Sequence, residues 1–239
     1  MKIAIISDIH GNIYALKAVV NAMKSQNIDV VFVLGDQMGY YYDVDKVYKE
    51  LDQWNHYIIS GNHERIFYEY LNENSNYNEK IDAKYGLCFN HYVKSLDKEL
   101  IKRIQHLEEQ KVVELDHYRF LLCHGSPLDK DQYIYPDYDK EVLDKCIDAA
   151  NNVDVVFMGH THYPMQYSNK NKQLINVGSI GQSRTVGGIA NWGVFNTKNG
   201  IFTAQSTPYD TSKLIKDLKG TSNNYLLNIL SRNNKLNEL

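Results

Sequence analysis

Residues 2–12 read Lys2-Ile3-Ala4-Ile5-Ile6-Ser7-Asp8-Ile9-His10-Gly11-Asn12. Ile3 to Ile6 run without a polar break into Ser7 and Asp8. An unbroken apolar run of this kind suits a strand buried on both faces, in a sheet covered by helices. It ends in a carboxylate, an imidazole and a glycine, and the first two are groups that hold metal ions. The same shape recurs along the chain. Asp29–Leu34 ends in Gly35-Asp36, and His56–Ser60 ends in Gly61-Asn62-His63-Glu64. Tyr118–Cys123 ends in His124-Gly125, and Asp154–Met158 ends in Gly159-His160-Thr161-His162. Loops after the carboxyl ends of strands in an α/β sheet lie along one rim, where ligands bind. Side chains two apart on an extended segment point the same way. On that geometry Asp8 and His10 reach one ion together, and His160 and His162 approach one cluster.

Outward from these runs, Gln173–Val177 reads as a further strand. Trp192–Thr197 and Ile201–Ser206 read as a hairpin around Lys198-Asn199-Gly200. Val112–Leu115 is expected to pair with Tyr118–Cys123 through Asp116-His117. Helical spacing fills the gaps: Ile13, Leu16, Val20 and Met23 form one stripe, and Val44, Val47, Tyr48 and Leu51 another. Leu100, Ile101, Ile104 and Leu107 follow Asp97 as N-cap, and Val142, Leu143, Cys146 and Ile147 make a fourth stripe. Alternating strands and helices predict an α/β domain. We expect one domain over residues 1–206, with 64–111 a helical, cap-like insertion beside the sheet edge. Residues 207–239 are expected to form a helical tail packed on the same domain, or a dimer contact, through Leu214, Ile215, Leu218, Leu226, Leu227 and Leu230.

The 239 residues suffice for one sizeable core. A net charge of -3 supplies no basic footprint for non-specific nucleic-acid binding. No run approaches a membrane span, and no secretory leader is expected. Three cysteines without CxxC spacing argue against a disulfide framework and for a reducing cytoplasm.

The strand-end residues point to divalent metal. Two aspartates, an asparagine and several histidines suit zinc, iron, manganese or nickel better than calcium or magnesium. Seven ligands exceed one tetrahedral site but suit two ions sharing a carboxylate. Two such ions roughly 3.5–4 Å apart activate a water and hold phosphate oxygens. Their surplus positive charge favours an anionic phosphate ester. His63 follows Asn62 directly, near a substrate without being needed as a ligand. His56, His106 and His117 read as surface or strand-end residues, and His91 could face the site from the cap.

Taken in order, Asp8-x-His10, Gly35-Asp36, Gly61-Asn62-His63-Glu64, His124 and Gly159-His160-x-His162 resemble the signature of the calcineurin-like metallophosphoesterase superfamily. The resemblance covers about Met1 to Phe195. Ser7–Asn12, His124-Gly125-Ser126-Pro127 and Asn176–Arg184 look most like its compact bacterial phosphodiesterase branch. The resemblance implies a four-layer α/β/β/α sandwich of two mixed sheets flanked by helices. It assigns Asp8, His10 and His162 to one ion, Asn62, His124 and His160 to a second, and Asp36 to both. His63 would be the general acid and Glu64 would help to orient it. The implied reaction is in-line attack on phosphorus by a metal-bridging hydroxide. The two ions would be divalent transition metals, manganese being the one expected to support activity in vitro.

Arg184 is the candidate phosphate clamp, since guanidinium matches phosphate oxygens in a fork. Tyr40, with Tyr41 and Tyr42, is a candidate stacking face for a nucleobase. The Val-Asp-Arg-Gly run of protein serine/threonine phosphatases is absent after Gly35-Asp36, which argues against phosphoproteins. The expected partner is a small phosphorylated substrate, nucleotides included, with neither membrane nor nucleic acid and with a homodimer open. Two alternatives stay open: a metal-dependent nuclease, and a non-catalytic scaffold on the same fold.

Overall fold

Along β1 (Lys2–Ile6), alternate side chains enter two different cores. Ile3 and Ile5 face one, while Ala4 and Ile6 face helix α1 (Ile13–Lys24) in the other. β2 (Val30–Val33) repeats the arrangement, with Val30 and Phe32 on the first side and Val31 and Val33 on the second. Neither face meets water, which is why both runs are apolar throughout. Each such side chain contributes about 1.5–3 kcal/mol by leaving water.

The computed structural model describes residues 1–169, 171–219 and 224–233. After β2 come α2 (Val44–Leu51) and β3 (His56–Ile58). The helices α3 (Asn62–Asn72), α4 (Ser75–Tyr85), α5 (Cys88–Ser95) and α6 (Lys98–Gln105) follow. The hairpin of β4 (Gln110–Leu115) and β5 (Tyr118–Cys123) turns at Asp116-His117, with Leu115 opposite Tyr118. Then come α7 (Lys140–Ala149), β6 (Val155–Met158), β7 (Met165–Asn169) and β8 (Lys172–Asn176). The hairpin β9 (Ile189–Asn196) and β10 (Ile201–Pro208) leads to α8 (Ser212–Leu218) and α9 (Asn224–Ser231).

The strands form two mixed sheets, ordered β10-β9-β1-β2-β3 and β4-β5-β6-β8-β7. β1, β2 and β3 run parallel in the first, as do β5, β6 and β8 in the second. Phe32, Phe120, Phe157 and Phe195 fill the space between the sheets. α1 and α2 cover the first sheet, and α7 covers the second through Leu143, Cys146 and Ile147. The result is the α/β/β/α sandwich expected above. β7 went unread in the sequence because it is an edge strand whose side chains alternate between half-buried and exposed, with no apolar run.

α3 to α6 gather on Phe67, Phe89 and Tyr92, against Met38 and Val44. Leu214 and Leu218 of α8 and Leu226 and Leu230 of α9 pack on Tyr41. Of the tail read over 207–239, residues 220–223 and 234–239 lie outside the described residues. Cys88, Cys123 and Cys146 are buried free thiols. Among the described residues no helix is long and apolar enough to cross a membrane.

Candidate metal centre

The carboxyl ends of β1, β2, β3, β5 and β6 deliver their loops to one place, and the chain is strained where they meet. Asp8, His10, Asp36, His160 and His162 all adopt positive φ, between 53° and 68°. A left-handed conformation costs a non-glycine residue about 1–2 kcal/mol. Asp8 and His10 therefore do converge, but through left-handed turns and not along the extended segment that their spacing suggested. Gly39 also has positive φ, at 95°, and a Cβ there would overlap the His63 ring.

Backbone carbonyls set the tautomers. His10 Nδ1 donates to Met38 O at 3.1 Å, His124 Nδ1 to Leu34 O at 2.7 Å and His162 Nδ1 to Gln182 O at 2.9 Å. A carbonyl only accepts, so each Nδ1 carries the hydrogen and each Nε2 turns inward. Around Asp8 the donor atoms form a triangle. Its Oδ1 stands 3.1 Å from His162 Nε2 and 3.9 Å from His10 Nε2, and those two nitrogens are 3.1 Å apart. Ligands about 2 Å from one ion stand roughly 3–4 Å from one another. Asp8 Oδ1 is buried and accepts no hydrogen bond. A buried carboxylate oxygen left in this state fits a cation at that point.

A second set adjoins it. Asn62 Oδ1 lies 3.1 Å from His124 Nε2, which lies 3.3 Å from Asp36 Oδ2. The same Asp36 oxygen is 3.9 Å from His10 Nε2, so it stands between the two sets. His160 belongs to this side: its ring is 4.9 Å from that of His124, and its Nε2 donates to Asp131 O, leaving the lone pair on Nδ1. The buried aspartate and histidine groups thus fit a dinuclear metal site.

Charge follows this geometry. Burial alone would raise the Asp8 carboxyl, but His162 and His124 hold it down at about 2. Asp36, equally buried, is held well below the usual range by His124 and His63. Burial would lower His124, yet Asp36 beside it holds the imidazole up at about 10. In the metal-free protein its Nε2 keeps a proton that a bound cation would displace.

His63 sits over this set, with Nε2 3.9 Å from Asp36 Oδ2 and within the same donor group as His10 and Asp36. Burial pushes it down to about 4. Its Nδ1 makes no hydrogen bond. Tyr40 and Tyr85 each stand 4.9 Å from its ring and Phe89 stacks at 6.0 Å, an aromatic enclosure of which the sequence indicated only Tyr40. Glu64 departs from its expected role. Its carboxylate accepts from the N–H groups of Asp36 at 2.9 Å, Gly61 at 2.7 Å and Met38 at 3.2 Å. It fixes the loop under the metal ligands and does not reach the His63 ring.

The stretch Asn176–Arg184 scaffolds the rim. Ser179 Oγ donates to Asp8 O at 2.8 Å, and Asn176 Nδ2 to Thr161 Oγ1 at 3.0 Å. Arg184 is half-buried, and among the described residues its guanidinium makes no hydrogen bond or ion pair. Burial raises the Tyr40 and Tyr133 phenols, and the Arg184 charge opposes that rise at both. Tyr40 lies against His10 and His63 at 4.9 Å, whereas Tyr41 is fully buried under the tail. His56, His106 and His117 lie elsewhere, on Trp54 O, Lys102 O and the Tyr118 ring, and His91 packs on Tyr42.

Known proteins share this fold. A hypothetical protein of Pyrococcus horikoshii superposes with a TM-score of 0.85 at 19% identity, over 98% of this chain and 99% of that one. A metallophosphoesterase from Sphaerobacter thermophilus gives 0.78 at 21%, over 96% and 98%. An uncharacterized protein of Methanocaldococcus jannaschii is 28% identical over 229 residues, 88% of this chain and 89% of that one. The sequence profile of the calcineurin-like phosphoesterase superfamily domain matches residues 1–200, and this span carries every strand-end ligand described above. The chain belongs to that superfamily.

Proposed function

We propose that this protein is a dinuclear metal-dependent phosphoesterase of the cytoplasm, hydrolysing a small phosphodiester or nucleotide-like phosphate ester. Its motifs favour the compact phosphodiesterase branch named above. The observation that carries this reading is the inward Nε2 of His10, His124 and His162, each fixed by a backbone carbonyl around the buried carboxylates of Asp8 and Asp36. Asp8, His10 and His162 would hold one ion, Asn62, His124 and His160 the other, and Asp36 both. When bound, such ions supply an activated water and hold the phosphate oxygens.

The remaining work falls to the chain. Glu64 locks the backbone of Asp36 and Met38 through their N–H groups. His63, enclosed by Tyr40, Tyr85 and Phe89 and neutral near pH 7, would donate an N–H hydrogen bond to the transferring phosphoryl group or the departing oxygen. Arg184 would receive a phosphate oxygen.

The test is a panel of esters offered to the manganese-loaded protein: a chromogenic phosphodiester, a phosphomonoester, cyclic nucleotides and dinucleoside polyphosphates. Asp36→Asn is expected to lose both metal and turnover. His63→Gln is expected to keep metal and lose about 10²–10⁴-fold in kcat. Variants that hydrolyse like the parent would overturn the assignment. Two bound ions with no turnover on any ester would leave the scaffold reading instead.

A further inference from the structure

His160 takes its orientation from the loop between β5 and α7. Its Nε2 donates to Asp131 O at 3.2 Å, so the lone pair stays on Nδ1. That contact decides which ring nitrogen is open to a cation. The loop is braced within itself. Ser126 N donates to Asp129 O at 2.8 Å, Gln132 N to the same carbonyl at 3.2 Å, and Asp131 N to Asp129 Oδ1 at 2.9 Å. A Cβ on Gly125 would overlap Lys130 O, so the loop folds back against the residue that follows His124. These contacts set the shape of the loop, and its placement is set from α3.

The Arg65 guanidinium pairs with the Asp131 carboxylate. Its Nε stands 3.8 Å from Glu109 Oε1, which accepts from Lys130 Nζ at 2.6 Å. Lys130 and Asp131 are thereby tied side by side. Fully exposed ion pairs contribute little, but the Arg65 side chain is only 19% exposed. Arg65 lies one turn after Asn62 on α3, and both line the cleft that His160 borders. Residues three apart on a helix share a face. One face of α3 thus carries an expected ligand of the second ion and the clamp on the loop that orients another.

We propose that Arg65 is a positioning residue for the second ion, fixing through Asp131 the carbonyl that orients His160. The inference rests on the dinuclear reading and extends it to a residue outside the ligand set. Charge alone predicts opposite effects for the two partners. Removing the Arg65 cation would tighten a metal ion nearby, and removing the Asp131 carboxylate would loosen it. A positioning role predicts that either loss loosens the ion, because each breaks the same clamp.

Two experiments test it, and neither needs turnover. The first is calorimetric titration with manganese of the parent, Arg65→Met, Asp131→Asn and the double variant. In each single variant one ion is expected to bind about 10-fold more weakly while the other is unchanged. The double variant is expected to be no weaker than either single one, since both act on one contact. Arg65→Lys, which can still pair with Asp131, is expected to recover most of the loss. The second is long-range proton–nitrogen NMR of the His160 ring in the metal-free protein at neutral pH. A single Nε2–H tautomer is expected in the parent and in Arg65→Lys, and a mixture in Arg65→Met and Asp131→Asn. Unchanged or tighter manganese binding in Arg65→Met, equal losses at both ions, or the same tautomer in every variant would overturn the role of Arg65. A parent that binds only one ion would overturn the dinuclear reading, while the His160 tautomer would still decide the link to Arg65.

Discussion

Backbone N–H groups of Asp36, Met38 and Gly61 converge on the two oxygens of Glu64. An amide at this position has only one accepting oxygen, so Glu64→Gln must leave a buried donor unpaired or facing another donor. The expected loss is about 1–3 kcal/mol in urea unfolding. The resemblance implied another role, orienting His63, yet neighbours on a helix point about 100° apart. Adjacency in sequence was legible and direction was not. The same holds for Asp8 and His10: their convergence followed from the motif, while their left-handed turns are set by the loops against which they pack. The carbonyls of Leu34, Met38 and Gln182 that fix the imidazoles have no side-chain signature at all. Protons give a further test. Burial holds His63 and His160 down at about 4, and His10 well below its ordinary value. Between pH 6.5 and 4 these three histidines bind more protons in the unfolded chain, Glu64, raised by burial to about 7, offsets only part of that, and stability falls as pH falls. Above pH 6.5 the sign reverses for His124, held up at about 10 by Asp36 against burial, so that its contribution is lost as pH rises. Denaturant midpoints of the metal-free protein are expected to peak near pH 6.5. The acid side should fall by more than one proton's worth, about 1.4 kcal/mol per pH unit.

At the scale of elements, β1, β2, β5 and β6 were legible because both faces of each are buried, and an apolar run in sequence is the direct result. β7 carries no such run, since its outer edge meets water. Asn12 shows how one helix start ties several elements together. Its Oδ1 accepts from Ala15 N at 3.1 Å and caps α1, while its Nδ2 donates to Gly181 O at 3.2 Å and Tyr209 Oη at 3.1 Å. Asn12→Ala removes the cap and both donations, and is expected to cost about 2–3 kcal/mol by denaturant unfolding. It should also weaken metal binding. Gly181 precedes Gln182, whose carbonyl orients His162, and Asn12 itself lies two residues after His10. An unchanged midpoint and unchanged metal affinity would show that these contacts contribute nothing.

Over the whole molecule, the alternation of strands and helices predicted an α/β domain but not which strands share a sheet. That partition depends on long-range register, and it reached the sequence reading only through the resemblance. The structure separates β1, β2 and β3 from β5 and β6, then aims the carboxyl ends of both groups at one point. The sheets are joined there by the bond from Ile180 N to Ser7 O at 3.0 Å and that from His160 N to Asp8 Oδ2 at 3.1 Å. Separating the sheets would therefore divide the ligand set. The central claim is that this junction holds a pair of ions. Anomalous diffraction at the manganese edge from crystals of the loaded protein tests it most directly. The account requires two peaks per chain, one against Asp8, His10 and His162 and one against Asn62, His124 and His160, with Asp36 touching both. A single peak, or ions bound away from Asp36, would contradict it.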